Sequence, residues 1–176
     1  MKKWILRCML AVSLLLVICV TVGAIGEEKL PGDAGYGYSY RFVTRDTIEI
    51  TAYTGYERNV TVPAEIDGYT VVGIAYFGRD EAIGQNPVVE QVTLPDTVRY
   101  IGAGAFAYWP NSDDTVSALQ EIVLPAGLEV IGEDAFYNCF SLNTVEIPAS
   151  VQEIGAYAFS NCKALQNFKL LGNQTV

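Results

Sequence analysis

Along most of this chain, apolar residues recur at intervals of two and three rather than at the 3.6 of a helix, and proline or glycine closes each group. The pattern is clearest from Leu119 to Ala164, where one 23-residue unit is written twice: LQEIVLPAGLEVIGEDAFYNCFS (119–141) and LNTVEIPASVQEIGAYAFSNCKA (142–164) agree at nine positions without a gap. Unrelated sequences of average composition agree at roughly one or two. The shared template is L-x-x-I-x-L-P-x-x-V-x-x-I-G-x-x-A-F-x-N-C-x-x. Its spacing predicts short strands joined by turns. Val145 and Ile147 alternate with Thr144 and Glu146, so one face of that strand points inward and the other to solvent. Pro148 ends the strand, Ile154-Gly155 marks a second bend, and Ala158, Phe159 and Cys162 predict one helical turn that returns the chain to the next strand.

One such unit cannot bury its own apolar side, so a fixed period of this size implies stacking of unit on unit. Stacking places like over like. Phe106, Phe136 and Phe159 form one internal column, Ile101, Ile131 and Ile154 a second, and Gly102, Gly132 and Gly155 a third. Each fully buried Phe or Ile contributes about 1.5–3 kcal/mol, so apolar columns rather than polar contacts hold such a domain together.

The motifs L-x-x-I-x-L-P, I-G-x-x-A-F and N-C at 119–139 and 142–162, with a further copy at 89–109 (VEQVTLPDTVRYIGAGAFAYW), resemble the BspA-like leucine-rich repeats of bacterial surface proteins. The resemblance spans roughly residues 45–171. It implies a curved leucine-rich-repeat solenoid with a parallel sheet along one side, and a non-catalytic module for adhesion to proteins or cells. The fold class expected is therefore a mainly β solenoid of short parallel strands and single helical turns, closed at its N-terminal end by a β-hairpin cap.

Toward the N-terminus the pattern changes. Lys2, Lys3 and Arg7 precede an apolar run from Cys8 to Val20, and Val22-Gly23-Ala24 offers a small-residue cleavage site, so residues 1–24 read as an export signal. An uncleaved membrane anchor is the alternative, although the apolar run falls short of the ~20 residues that span a bilayer. Residues 25–35 form a polar, Gly-rich lead-in. Residues 36–58 then alternate: Tyr36, Tyr38, Tyr40 and Phe42 share one face, and Ile48, Ile50 and Ala52 share one face of the next run, joined through Thr44-Arg45-Asp46. This is a hairpin signature, and its place suits a cap over the first coil. An aromatic row of this kind also admits a carbohydrate platform, but aromatic rows on strands usually pack. The segment 47–74 is similar to the entry module that precedes many BspA-like arrays. Repeats are then assigned to 59–88, 89–118, 119–141, 142–164 and, in part, 165–176. In the first, Asp67-Gly68-Tyr69 inserts a turn, and Ala75 to Val88 lacks a clear A-F-x-x-C. The second is 30 residues long, its surplus falling in Pro110-Asn111-Ser112-Asp113-Asp114, a loop composition. Asp113 and Asp114 lack the evenly spaced oxygen ligands of a calcium loop.

Charge and composition narrow the chemistry. The chain carries 11 Lys and Arg against 20 Asp and Glu, a net of −9; without residues 1–24 the balance is eight against 20, a net of −12. Such a surface repels phosphate, so neither nucleic acid nor anionic membrane suits it as a partner, leaving an uncleaved signal as the one route to a membrane. There is no histidine, which removes Ser-His-Asp and Cys-His pairs and all His-based metal sites. Paired carboxylates for glycoside hydrolysis remain conceivable. Yet Glu133, Asp134, Glu146 and Glu153 fall at the outward, variable positions of the repeat and do not converge. No phosphate loop or cofactor fingerprint is present. The expectation is a non-enzyme without cofactor or metal.

Two cysteines lie beyond the signal, Cys139 and Cys162, one period apart and hence stacked. Neighbouring strands lie about 4.7–4.9 Å apart, inside the roughly 4.4–6.8 Å window for a disulfide, so the pair is either bonded or two buried thiols. Trp109 fills the equivalent place one coil earlier, which favours the thiols.

Outward positions of the strands line up as Gln91, Glu121, Thr144 and Asn167 in one row and Thr93, Val123, Glu146 and Lys169 in the next. These eight residues are the candidate binding face for an extracellular protein or glycan; a repeat scaffold with no ligand of its own is the alternative. Leu165 to Leu170 begins a further strand, with Leu171 where the template has proline. An open parallel edge there predicts self-association unless the last few residues fold over it.

Overall fold

The computed structural model describes residues 37–75, 88–109 and 117–172. The export signal, the lead-in, Tyr36, most of the return path between Ala75 and Val88, the Asp113-Asp114 insertion and the last four residues lie outside them. The strands are β1 (Tyr38–Phe42), β2 (Thr47–Tyr53), β3 (Asn59–Thr61), β4 (Glu65–Ile66), β5 (Tyr69–Ile74), β6 (Gln91–Thr93), β7 (Tyr100–Ile101), β8 (Glu121–Val123), β9 (Val130–Ile131), β10 (Thr144–Pro148), β11 (Glu153–Ile154) and β12 (Asn167–Leu171).

Each coil contributes a strand to each of two sheets. The L-x-x-I-x-L-P half of the template builds one, in the order β12-β10-β8-β6-β3 and parallel throughout. The V-x-x-I half builds the other, β1-β2-β5-β7-β9-β11, parallel from β2 onward. The Pro-initiated turn between the halves is closed by Val98, Leu128 and Val151 N–H donating to the carbonyls of Pro95, Pro125 and Pro148 at 3.0–3.1 Å. This second sheet was not apparent from the sequence, because only two residues per coil, such as Val130-Ile131, pair before glycine intervenes.

The core lies between the sheets and carries the expected columns. Phe106 stacks on Phe136 at 5.1 Å, and Phe136 on Phe159 at 5.0 Å, with interplanar angles of 1° and 6°. Ile101 and Ile131 are fully buried, whereas Ile154, in the last coil, is 43% exposed. The glycine column has a steric reason: a β-carbon on Gly132 or Gly155 would run into the backbone of the preceding coil at Ala103 or Glu133.

The helical turns expected on the return path do not form, and no helix occurs among the described residues. An α-helix directs consecutive amides to the carbonyl four residues back. Here alternate amides leave the coil. Asp134, Phe136 and Asn138 donate to Ala156, Ala158 and Ser160 of the next coil at 2.7–3.0 Å, while Ala135, Tyr137 and Cys139 close tight turns onto Gly132, Asp134 and Phe136. Left-handed φ values of 54° at Asp134 and 59° at Asn138 break any helical run, and Tyr157 (57°) and Asn161 (60°) repeat them one coil on. The return path is thus a ladder of turns hydrogen-bonded along the stack.

At the N-terminal side β1 and β2 form an antiparallel hairpin, bulged between Ser39 and Tyr40, with β2 paired to β5. Its aromatic row packs: Tyr38 and Tyr40 are buried, and Phe42 meets Tyr69 edge-on at 4.8 Å. Asp67 and Gly68, with φ of 53° and 83°, make the two-residue turn joining β4 to β5.

Candidate binding face

The outward rows follow from strand register. Strand alternation turns Val92, Ile122 and Val145 inward, where they are 0–4% exposed, and projects their neighbours to the opposite side. Gln91 pairs with Glu121, Glu121 with Thr144, and Thr144 with Asn167; Thr93 pairs with Val123, and Glu146 with Lys169. All eight residues named from the sequence therefore stand on one face of one sheet. Glu121 and Thr144 are half-buried and the other six exposed. Two further members were missed: Asn59 and Thr61 of β3 continue the rows beside Gln91 and Thr93, and both are exposed. The signal for them was present in N-V-T-V-P (59–63), a strand half of the template in its own right.

Side chains along these rows pair across coils. Gln91 Nε2 donates to Glu121 Oε2 at 2.9 Å, and Lys169 Nζ meets Glu146 Oε1 at 2.6 Å. Arg58 and Glu90, one residue before each of the first two strands, form another exposed ion pair. Exposed pairs contribute about 0–1 kcal/mol each, so they order the surface more than they stabilise the fold. Val123, 48% exposed, is a large apolar side chain in the middle of the face. The carboxylates considered for glycoside chemistry do not converge with it: Glu133 and Asp134 lie on the return ladder and Glu153 on β11. Among the described residues no group of three or more His, Cys, Asp or Glu side chains could hold a metal ion, and no helix is long and apolar enough to cross a membrane.

Cys139 and Cys162 are free thiols. Although stacked, they point back along the ladder rather than at each other. Cys139 Sγ donates to Phe106 O and Cys162 Sγ to Phe136 O, each at 3.2 Å. Burial pushes both thiols up, Cys162 to about 11 and Cys139 further. Each fills the core as a small hydrophobe with one weak donor satisfied. Asparagine forms the companion ladder: Asn161 Nδ2 donates to Asn138 Oδ1 at 3.0 Å and Asn138 Nδ2 to Tyr108 O at 3.1 Å.

Two sheets of short stacked strands, internal apolar columns and a variable outward face define a repeat solenoid of the binding-scaffold class. The BspA type leucine rich repeat region matches residues 82–176 in six copies, and the chain belongs to that family. Members of this family typically act as non-catalytic binding modules at bacterial surfaces, and this chain is a non-catalytic binding module of that type. Among solved structures, the Treponema pallidum leucine-rich repeat protein is 31% identical, with 80% of this chain and 71% of that one covered at a TM-score of 0.55. A leucine-rich repeat protein from Bacteroides capillosus is 24% identical over 83% of this chain and 100% of the other, TM-score 0.62. The pneumococcal vaccine antigen PcpA, 19% identical, is covered over 38% of its length and 85% of this chain at 0.55. The last two share the fold. No curated protein matches significantly.

Proposed function

We propose that this chain is an exported recognition module whose ligand lies across the outward face of β3, β6, β8, β10 and β12. The observation that carries this reading is the row Asn59, Gln91, Glu121, Thr144 and Asn167, in register across all five strands, with Thr61, Thr93 and Val123 and then Glu146 and Lys169 beside it, exposed at most positions. A protein surface suits the rows better than a glycan. They offer Asn, Gln, Thr, Glu, Lys and one Val, and no aromatic ring on which a sugar could stack. Mixed donors, acceptors and both signs of charge match the polar rim and hydrogen-bond density of a protein interface. Export rests on residues 1–24 acting as a cleaved signal, with residues 36–58 as the cap that closes the first coil.

The direct experiment is binding of the purified chain to an array of extracellular proteins and to a glycan array under identical conditions. Saturable binding to one or a few proteins and none to glycans is expected. Glycan-only binding would overturn the choice of ligand class, and binding to neither would favour a scaffold without a ligand of its own. N-terminal sequencing of the secreted protein tests the leader, with Ile25 expected as the first residue.

A further inference from the structure

Among the described residues, charges on the outward sheet are paired toward its two sides and unpaired in its middle. On the β3 side Arg58 meets Glu90, and on the β12 side Lys169 meets Glu146. Glu121 stands on β8, the central strand of the five, and no cation meets it. Its register partners on either side, Gln91 and Thr144, are neutral. Gln91 Nε2 donates to Oε2 of Glu121 at 2.9 Å, which leaves Oε1 for a further donor. The side chain is half-buried, so it has shed part of its hydration and gains more from an opposite charge than a fully exposed carboxylate would.

Two residues further along the same strand and on the same side, Val123 is 48% exposed. That step along a strand covers about 6–7 Å. A lysine or arginine side chain spans such a distance with its charged head on one residue and its alkyl stem on the other. We infer that the ligand of the outward face is a basic protein segment, which sets a lysine or arginine head on Glu121 and lays its stem over Val123. This rests on the outward face being the ligand's seat, as proposed above. Of the two carboxylates in the rows, Glu146 is held by Lys169, so an incoming cation meets Glu121 without breaking an ion pair. The net charge of −9 draws a basic segment in and turns an acidic one away.

Selection of a phage-displayed library of random peptides on the folded full chain tests this. The peptides recovered are expected to carry lysine or arginine well above the library average. Affinity for the strongest of them is then measured in solution with the wild type, Glu121→Gln, Val123→Asn and Glu133→Gln, the last removing one charge from the return ladder. A cooperative thermal transition is required of each variant, and Glu121→Ala serves if Glu121→Gln fails to fold. Glu121→Gln should weaken binding about tenfold or more at low salt, by a margin that shrinks as salt rises; Val123→Asn should weaken it about threefold and Glu133→Gln less than about twofold. Recovery of no peptide, or of peptides without an excess of basic residues, overturns the inference. Equal losses in Glu133→Gln and Glu121→Gln reduce the attraction to net charge and overturn it too. Basic peptides weakened by Val123→Asn but not by Glu121→Gln overturn the charge contact and leave the outward face standing. Basic peptides that neither outward substitution weakens overturn the face as well.

Discussion

The phenol of Tyr100 on β7 donates a hydrogen bond to Oε2 of Glu49 on β2 at 2.7 Å, reaching over the intervening strand β5. Register makes this possible, since Glu49 pairs with Gly73 and Gly73 with Tyr100. A β-carbon on Gly73 would run into the Tyr100 ring, so only glycine lets the ring lie across that strand. Glu49 also holds Arg41 of β1 in an ion pair, and is itself 5% exposed. One polar chain therefore ties the hairpin to the repeats.

Breaking that chain should be measurable by urea denaturation. Tyr100→Phe removes a hydrogen bond to a buried carboxylate and is expected to cost about 1–3 kcal/mol. Gly73→Ala displaces the whole ring and should cost at least as much, with little further loss when Tyr100→Phe is added, because both changes remove the same contact. Full additivity in that double variant would show the two residues to be uncoupled.

Alkaline pH should unfold the protein from the hairpin side. Burial raises the phenols of Tyr38, Tyr53 and Tyr100, helped by Glu57 at Tyr38 and Tyr53 and by Glu49 at Tyr100; Tyr53 is pushed up to about 12 and the others beyond it. A folded pKa above the unfolded value of about 10 means that the folded state binds the proton more tightly. The contribution is complete below about pH 10 and is lost as pH rises through the folded values. Stability should be flat with respect to these groups from pH 7 to 9 and fall above 10, less steeply in Tyr100→Phe. An identical alkaline limb in that variant would contradict the assignment.

Ile131 and Ile154 occupy the same repeat position with 0% and 43% exposure. Ile131→Asp buries an unpaired carboxylate between coils and should cost about 4 kcal/mol or more, enough to unfold a domain of this size. Ile154→Asp should cost about 1 kcal/mol or less. Circular-dichroism melts decide it, and a wild-type transition for Ile131→Asp would rule out the stacked column.

Peptide-mapped alkylation at pH 8 should find Cys162 at least a hundredfold slower than a free thiol of pKa about 8.5, and Cys139 slower still. Both should react readily once the chain is unfolded. A disulfide-linked peptide containing both residues would contradict the thiol-to-carbonyl geometry.

What the sequence made legible was whatever repeats. The period set the columns through Phe106, Phe136 and Phe159, and the alternation of Thr144 to Ile147 set which side chains face outward. The helical turn at Ala158 to Cys162 failed because the spacing of A-F-x-N-C suits either a helix or a turn ladder. The choice is made by amides such as Phe136 N–H, which bond to the neighbouring coil rather than within their own. The Glu49–Tyr100 link was equally hidden, since its partners are 51 residues apart and belong to no common motif. Its traces were a lone charged residue, Glu49, inside β2 and a glycine within β5, where a glycine often marks close approach of another group.

The binding face itself is tested most directly by measuring affinity, for a protein ligand found on the array, of two triple-alanine variants. One carries Glu121→Ala, Thr144→Ala and Glu146→Ala on the outward sheet; the other carries Glu133→Ala, Asp134→Ala and Tyr157→Ala on the return ladder. The first is expected to lose about tenfold or more while the second stays within about twofold of the wild type. Equal loss from both, or loss from the second alone, contradicts a ligand seated on β3, β6, β8, β10 and β12.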